Sequence, residues 1–151
     1  MALRQLRYYN DEILRKKSKE VKEVNEHIKI ILNDMVETLH SLKDGAAIAA
    51  PQIGILKRLV VIDMGNGVIK LINPTIIEEK GTQHCIEGCL SFPGRLGKTI
   101  RPKVVTVRAL NEDGEEIILK ERGEMAKCLC HEIDHLNGIL LIDKVTKWLN
   151  N

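Results

Sequence analysis

Aromatic residues are nearly absent from this sequence. One Trp, two Tyr and one Phe make up 3% of its 151 residues. A core for a chain of this length must therefore be built from Ile, Leu and Val. Long apolar runs are missing too. None approaches the roughly 20 residues that cross a bilayer. The opening stretch, MALRQLRYYNDEILRKK, has no apolar segment of the kind a secretory signal carries, and a cytoplasmic location is expected. Cysteine is scarce, with only Cys85, Cys89, Cys128 and Cys130, which in that compartment read as thiols or metal ligands rather than disulfides. Neither sign of charge dominates: 23 Lys and Arg face 21 Asp and Glu, for a net charge of +2. No basic block is visible, so the chain carries no nucleic-acid footprint. Repeats, low-complexity tracts and linkers are also lacking, which leaves one domain over residues 1–151.

What is present is a folded-protein composition, 44% hydrophobic and 29% charged. Asn25 can cap a helix whose apolar positions are Ile28, Ile31, Leu32, Met35, Leu39 and Leu42, with Gly45 as its stop. A shorter helix is expected near Asn10 or Asp11. GAAIAAPQIG reads as loop. RLVVIDM and VIKLINP read as two strands around GNG, and Pro74 to Glu79 as an edge strand. KVVTVRALNEDGEEIILKE is the clearest hairpin, turning at Asn111-Glu112-Asp113-Gly114. The last long helix is expected from about Gly123 to Asn137, ended by Gly138. The fold class that follows is α+β.

The helix near the end contains CLCHEIDHL. His131 and His135 stand four apart, about 40 degrees around a helix of 3.6 residues per turn, so both can reach one ion. Glu132 sits beside them, placed to exchange a proton with a water on that ion without binding it. This is the HExxH arrangement of metal hydrolases. Leu129, Ile133 and Leu136 form a separate apolar stripe that leaves the histidine face free. The competing reading, two ordinary histidines on an amphipathic helix, has that stripe and the strong helix pattern against it. Two ligands do not complete a site, since catalytic metal sites usually take three. Downstream only Asp143 is acidic, past the helix stop. Cys128 shares the histidine face but lies a full turn below, and buried free cysteines are common core residues. Cys89 is the better third ligand, in the glycine-bounded stretch HCIEGCLSFPG, which reads as loop and lets backbone approach an ion.

Three ordered motifs then make the sequence resemble the peptide deformylase family. GAAIAAPQ at 45–52 is similar to that family's GxGxAAxQ, EGCLS at 87–91 matches fully, and HEIDH at 131–135 matches HExDH. The resemblance runs from about Leu6 to Val145. It implies antiparallel β-sheets packed around a central metal-binding helix that carries HExxH. It implies Cys89, His131 and His135 as metal ligands, Glu132 as general acid/base, and Gln52 and the backbone N–H of Leu90 as oxyanion donors. It implies hydrolysis of the N-formyl group on the starting methionine of newly made proteins, with formate released. The cofactor implied is one divalent ion, Fe2+ first, with Zn2+ or Ni2+ as substitutes. Substrate contacts are expected from Gly45, Ala46, Ala47, Ile48, Glu87, Glu124, Lys127 and Cys128. Glu87 also resembles one half of an ion pair with Arg101 that braces EGCLS. The partners are N-formylmethionyl nascent peptides, with no nucleic acid and no membrane, and a monomer is expected.

The sequence departs from the family pattern in three places. Ala47 replaces the second glycine of GxGxAAxQ, which would be strained if that position needs a positive φ. Glu124 and Lys127 stand where well-known members are mostly apolar, which suggests a charged rim to the methionine pocket, paired at i, i+3. The chain stops soon after Trp148, short of the further C-terminal helix linked to ribosome docking, so ribosome contact stays open. A zinc endopeptidase would need a third histidine or acid where this sequence offers Cys89. A relative that binds without turnover has only Ala47 in its favour.

Overall fold

The structure, a computed structural model, describes residues 2–43 and 45–150. Helix α1, Glu26–Ser41, begins where the sequence predicts: the Asn25 side chain accepts the backbone N–H of Ile28 at 3.0 Å. Its buried face is Ile28, Ile31, Leu32, Met35 and Leu39. It ends at Ser41, before Gly45, with Leu42 already extended. The short helix near Asp11 is a single 3-10 turn, Glu12–Arg15, capped by Asp11.

Five antiparallel strands follow α1 in the order β1-β2-β3-β6-β7. They are β1 Ala47–Ala49, β2 Leu59–Asp63, β3 Val68–Lys80, β6 Val104–Leu110 and β7 Glu116–Arg122. The GAAIAAPQIG stretch is therefore not all loop. Ala47–Ala49 pairs with Val60–Ile62, and Ala50–Ile53 forms a 3-10 turn. The segment is the edge strand of the sheet, where β2 offers its backbone the hydrogen bonds that a loop would lack, and its side chains alternate between the two cores. Pro74–Glu79 is the second half of β3, and among the described residues it pairs with β6 alone, because the pairing with β2 ends at Ile72; this half is an edge, as the sequence predicts. Pro74 is tolerated there because the β3–β6 register shifts between Ile72 and Thr75. Asn73 beside it has φ 53, and its amide bonds both backbone groups of Val21, at 2.9 and 2.8 Å. The predicted hairpins at 64–67 and 111–115 are present.

β2 is apolar at every position from Leu59 to Ile62, and all four are fully buried. The alternation of a strand explains why. Val60 and Ile62 face one core, which they share with Val105, Val107, Leu129, Ile133 and Leu136. Leu59 and Val61 face the other, with Ile31, Leu32, Met35 and Leu39 of α1. The sheet is thus covered by α1 on one side and by helix α2, Gly123–Leu136, on the other.

Three more strands make a second sheet, in the order β4-β5-β8: β4 Gln83–Cys89, β5 Phe92–Arg101 and β8 Lys147–Trp148. The HCIEGCLSFPG stretch, read as loop, is in fact the tip of the β4–β5 hairpin. Helix α3, Leu141–Lys144, is one turn between α2 and β8. The expected architecture of antiparallel sheets with helices is present. No helix of the described residues is long and apolar enough to cross a membrane.

Candidate active site

The site forms where the β4–β5 tip meets α2. The end of α2 is fixed first. Gly138, at φ 74, donates to the His135 carbonyl, and Ile139 donates to Asp134. Arg58 donates to the Leu136 carbonyl at 3.0 Å, which suits the negative end of a helix. The two histidines one turn apart are thereby held on the face toward Cys89.

Among the described residues, one group has three side chains able to share an ion: Cys89, His131 and His135, with donor atoms all within 4.8 Å of one another. Cys89 Sγ lies 3.3 Å from His135 Nε2. Around a tetrahedral ion with ordinary bond lengths, a sulfur and a nitrogen ligand stand about 3.6 Å apart, and two nitrogens about 3.3 Å. The donor set and its spacing fit a divalent metal. Cys128 is not in the group. Burial pushes its thiol far above the ordinary range, with the Glu132 charge adding to the effect. Burial likewise raises Cys130, to about 11, and Cys85. These three are core thiols.

Behind His131 lies a buried polar cluster. Its Nδ1 donates to Glu87 Oε1 at 2.9 Å, which leaves Nε2 for the ion. Glu87 also accepts from Arg101 Nε at 2.6 Å, Arg101 Nη2 at 2.8 Å and Thr99 Oγ1 at 2.5 Å. Arg101 bonds Asp134 as well, at 2.7 Å. Burial alone would raise Glu87, but Arg101, His131 and Thr99 outweigh it and hold the carboxyl well below its usual range. The Glu87–Arg101 pair is therefore a buried fork and not a solvated surface contact. Its carboxylate borders the cleft but is fully committed to these partners, so it is not free for a substrate.

Glu132 lies beside the cluster, with Oε2 4.0 Å from His131 Nε2. It is near the ligands without joining them. Burial lifts its carboxyl to about 7, against the pull of His131. Its Oε1 has no protein partner among the described residues. Gln52 is buried from the other side. Its Oε1 accepts the Ala49 N–H at 2.9 Å, and its Nε2 donates to Ser91 Oγ at 3.1 Å and approaches Cys89 Sγ at 3.8 Å. Those contacts fix which end of the amide faces the cysteine.

These groups open onto a cleft of about 710 Å³. Ala46, Ala47, Gln52, Leu90, Cys128 and Glu132 border it, as do Glu124 and Lys127. Lys127 Nζ is 2.8 Å from Glu124 and 3.2 Å from the Ile86 carbonyl, so the expected i, i+3 pair stands at the rim. Two expected substrate contacts fall elsewhere. Ile48 is fully buried on the α1 side of the sheet, because alternation along β1 points it away from the cleft. Gly45 is absent from the lining and packs on α1, where a Cβ would come within 2.8 Å of Leu39 Cδ1. Ala47 is extended, and among the described residues Asn73 is the one non-glycine with positive φ, so alanine at 47 carries no backbone strain.

Sequence reasoning missed Ser91, Thr99 and Asp134. Ser91 and Asp134 lie inside motifs that were read for their other residues. Thr99 and Arg101 sit two apart on β5, on the face where Glu87 of β4 also points. That alternation was the available signal.

The match to known proteins agrees with this geometry. The family model described as polypeptide deformylase matches residues 3–151. Peptide deformylase 2 of Clostridium acetobutylicum is 58% identical over 149 residues, 99% of each chain. The peptide deformylase of Thermoanaerobacter pseudethanolicus is 52% identical over 150 residues, 99% of this chain and 94% of the relative. The crystal structure of peptide deformylase from Thermotoga maritima is similar with a TM-score of 0.92 at 39% identity, covering 95% of this chain and 98% of that one. A peptide deformylase from Synechococcus elongatus, in complex with actinonin, gives the same TM-score and identity over 95% of this chain and 79% of its own. The Cys-His-His cluster with its adjacent glutamate, and a family match over nearly the whole length, lead to one assignment: the chain belongs to the polypeptide deformylase family.

Proposed function

We propose that Cys89, His131 and His135 hold a divalent metal ion, and that Glu132, Gln52 and Leu90 act beside it on a formyl group. The reaction is that of the family: hydrolysis of the N-formyl group on the initiator methionine of a newly made protein. Formate and a free amino terminus are the products. The observation that carries the reading is the convergence of one thiol and two imidazoles within 4.8 Å, with Glu132 4.0 Å from His131 in the same cleft.

A bound divalent ion supplies Lewis-acid activation of water and substrate. The chain's own groups do the rest. Glu132 takes the proton of the attacking water as its oxygen bonds to the formyl carbon. It returns that proton to the departing nitrogen as the C–N bond breaks. Burial, which raises this carboxyl in the metal-free protein, favours its taking up the proton that it later returns. The Gln52 amide, held by Ala49 and Ser91, donates to the oxygen that gains charge, and the Leu90 backbone N–H is the second donor. Each such donor is worth about 3 kcal/mol in comparable sites. Glu87 acts one step back, keeping the His131 proton on Nδ1.

The methionine side chain is assigned to the part of the cleft bordered by Cys128, with the Glu124–Lys127 pair at its rim. Helix α2 is then the metal-binding helix at the middle of the fold. The ion is assigned as Fe2+, since one thiolate and two imidazoles suit iron, zinc and nickel alike and the family resemblance favours iron. The substrates are nascent chains, met in the cytoplasm by a monomer.

The test is formate release from formyl-Met-Ala-Ser by protein purified without oxygen and loaded with iron, beside Glu132→Ala. Release that disappears in the variant supports the reading. A folded, metal-loaded protein that releases none overturns it. Loss of activity in air by the iron form but not the nickel form supports the metal assignment.

A further inference from the structure

The β4–β5 hairpin has an irregular tip. Cys89 pairs with Phe92 and Glu87 pairs with Gly97. Gly88 alone therefore faces four residues, Pro93 to Leu96, which fold over it. A Cβ on Gly88 would lie 3.1 Å from Leu96 Cδ2. These four residues form a wall of the cleft. As a bulged excursion they have no strand partner for their backbone groups, which must be met in some other way.

Segment 145–150 meets them. The Asn150 side chain accepts the Leu96 N–H at 2.9 Å and donates to the Gly94 carbonyl at 2.8 Å. Leu149 donates its N–H to the Leu96 carbonyl at 2.9 Å. One side-chain amide thus replaces both edges of a missing strand. Trp148 packs beside it. Its ring lies 5.4 Å from that of Phe92, and the Arg95 guanidinium stacks on it at 4.2 Å. Gly97 makes the approach of the segment feasible, since a Cβ there would come within 2.6 Å of Val145 Cγ2. Asn150 itself borders the cleft.

We propose that Asn150 is a positioning residue for substrate binding: by bridging Gly94 and Leu96 it holds the Pro93–Leu96 wall of the cleft in the shape that receives the peptide. Asn150 does not touch the reacting atoms. Its loss weakens binding and leaves the chemistry at Cys89 and Glu132 alone. The effect on KM rests on the deformylase reading, whereas the effect on the wall does not.

Two measurements on the metal-loaded full chain test this. The first is the KM and kcat of Asn150→Ala with formyl-Met-Ala-Ser. Two lost hydrogen bonds to a bulge predict a KM raised about 5- to 10-fold with kcat within about twofold. Asn150→Asp, which keeps the acceptor for Leu96 and loses the donor to Gly94, should fall between. Thr146→Val removes a bond to Lys98 outside the excursion and should match the parent. The second is limited trypsin cleavage after Arg95, followed with the fluorescence of Trp148, the chain's one tryptophan. Cleavage should be about 5- to 10-fold faster in Asn150→Ala if the wall is released. An unchanged KM, a kcat that falls by more than about twofold, or an unchanged cleavage rate overturns the proposal. If the parent releases no formate, the deformylase reading fails, and trypsin still decides whether Asn150 holds the wall.

Discussion

Replacing Glu87 by alanine should loosen the metal and the fold together. The residue is 3% exposed and its partner Arg101 is 4% exposed. Four bonds of 2.5–2.9 Å end on its carboxylate, two from Arg101, one from Thr99 and one from His131. Alanine would leave the guanidinium buried with only Asp134, at 2.7 Å. Breaking a buried pair costs about 3–5 kcal/mol, and the surviving Asp134 bond places this case near 3. For a chain of this size about 2–4 °C is lost per kcal/mol, so Tm should fall about 6–12 °C. His131 would also lose the acceptor that fixes its Nδ1 proton. Losses of that kind weaken metal affinity about 10- to 100-fold. Calorimetry of the loaded protein and competition with a graded series of chelators read the two effects separately. Glu87→Gln, which can still accept bonds, should lose less on both. A Tm within about 2 °C of the parent together with unchanged metal affinity would refute the account of Glu87 as the brace of His131.

Three further outcomes are expected. Glu132→Gln should stabilise the chelator-treated protein at neutral and higher pH. The folded carboxyl, at about 7, lies above its ordinary 4.5. It costs nothing below pH 4.5, and the penalty grows until pH 7, reaching about 3 kcal/mol. Urea unfolding at pH 4 and pH 8 checks the sign, and an equal gain at both would contradict it. Ala47→Gly, despite restoring the family glycine, should destabilise by about 1 kcal/mol and leave kcat unchanged, because the residue is extended and packed in the core. The Glu124→Leu, Lys127→Ile double variant should shift selectivity among formyl-Met, formyl-norleucine and polar analogues. Unchanged apolar preference would sink the charged rim.

The parts of the fold that could be read in advance are those governed by local periodicity. Ile28, Ile31, Leu32, Met35 and Leu39 recur at helical spacing, and Asn25 marks the start, so α1 was legible to the residue at that end. The reading of Ala47–Ala49 as loop fails for one reason. The segment owes its strand to Val60–Ile62, 11 to 15 positions away. Nothing in its own composition announces that partner.

The second sheet shows the limit most clearly. Alternation along β4 and β5 would ordinarily send Ile86 and Ile100 inward and Glu87, Thr99 and Arg101 outward. The structure does the reverse: the two isoleucines are 54% and 50% exposed, and the three polar residues are buried. A strand's period gives two faces but does not say which is inside. Here the inner face meets α2 at His131, and the polar side chains are buried because they satisfy one another there.

The sequence by itself determined that His131, Glu132 and His135 share one stretch of helix, since an i, i+4 spacing is a local property of the chain. It also carried the motifs by which the family is known. Only the tertiary structure decided that Cys89 stands 3.3 Å from His135, 46 positions away, and that Glu87, 44 positions from His131, is the partner of that ring. It alone placed Asn150 against Gly94 and Leu96. Those meetings depend on strand register and on how the β4–β5 hairpin docks on α2, both of which are set by burial across the whole molecule.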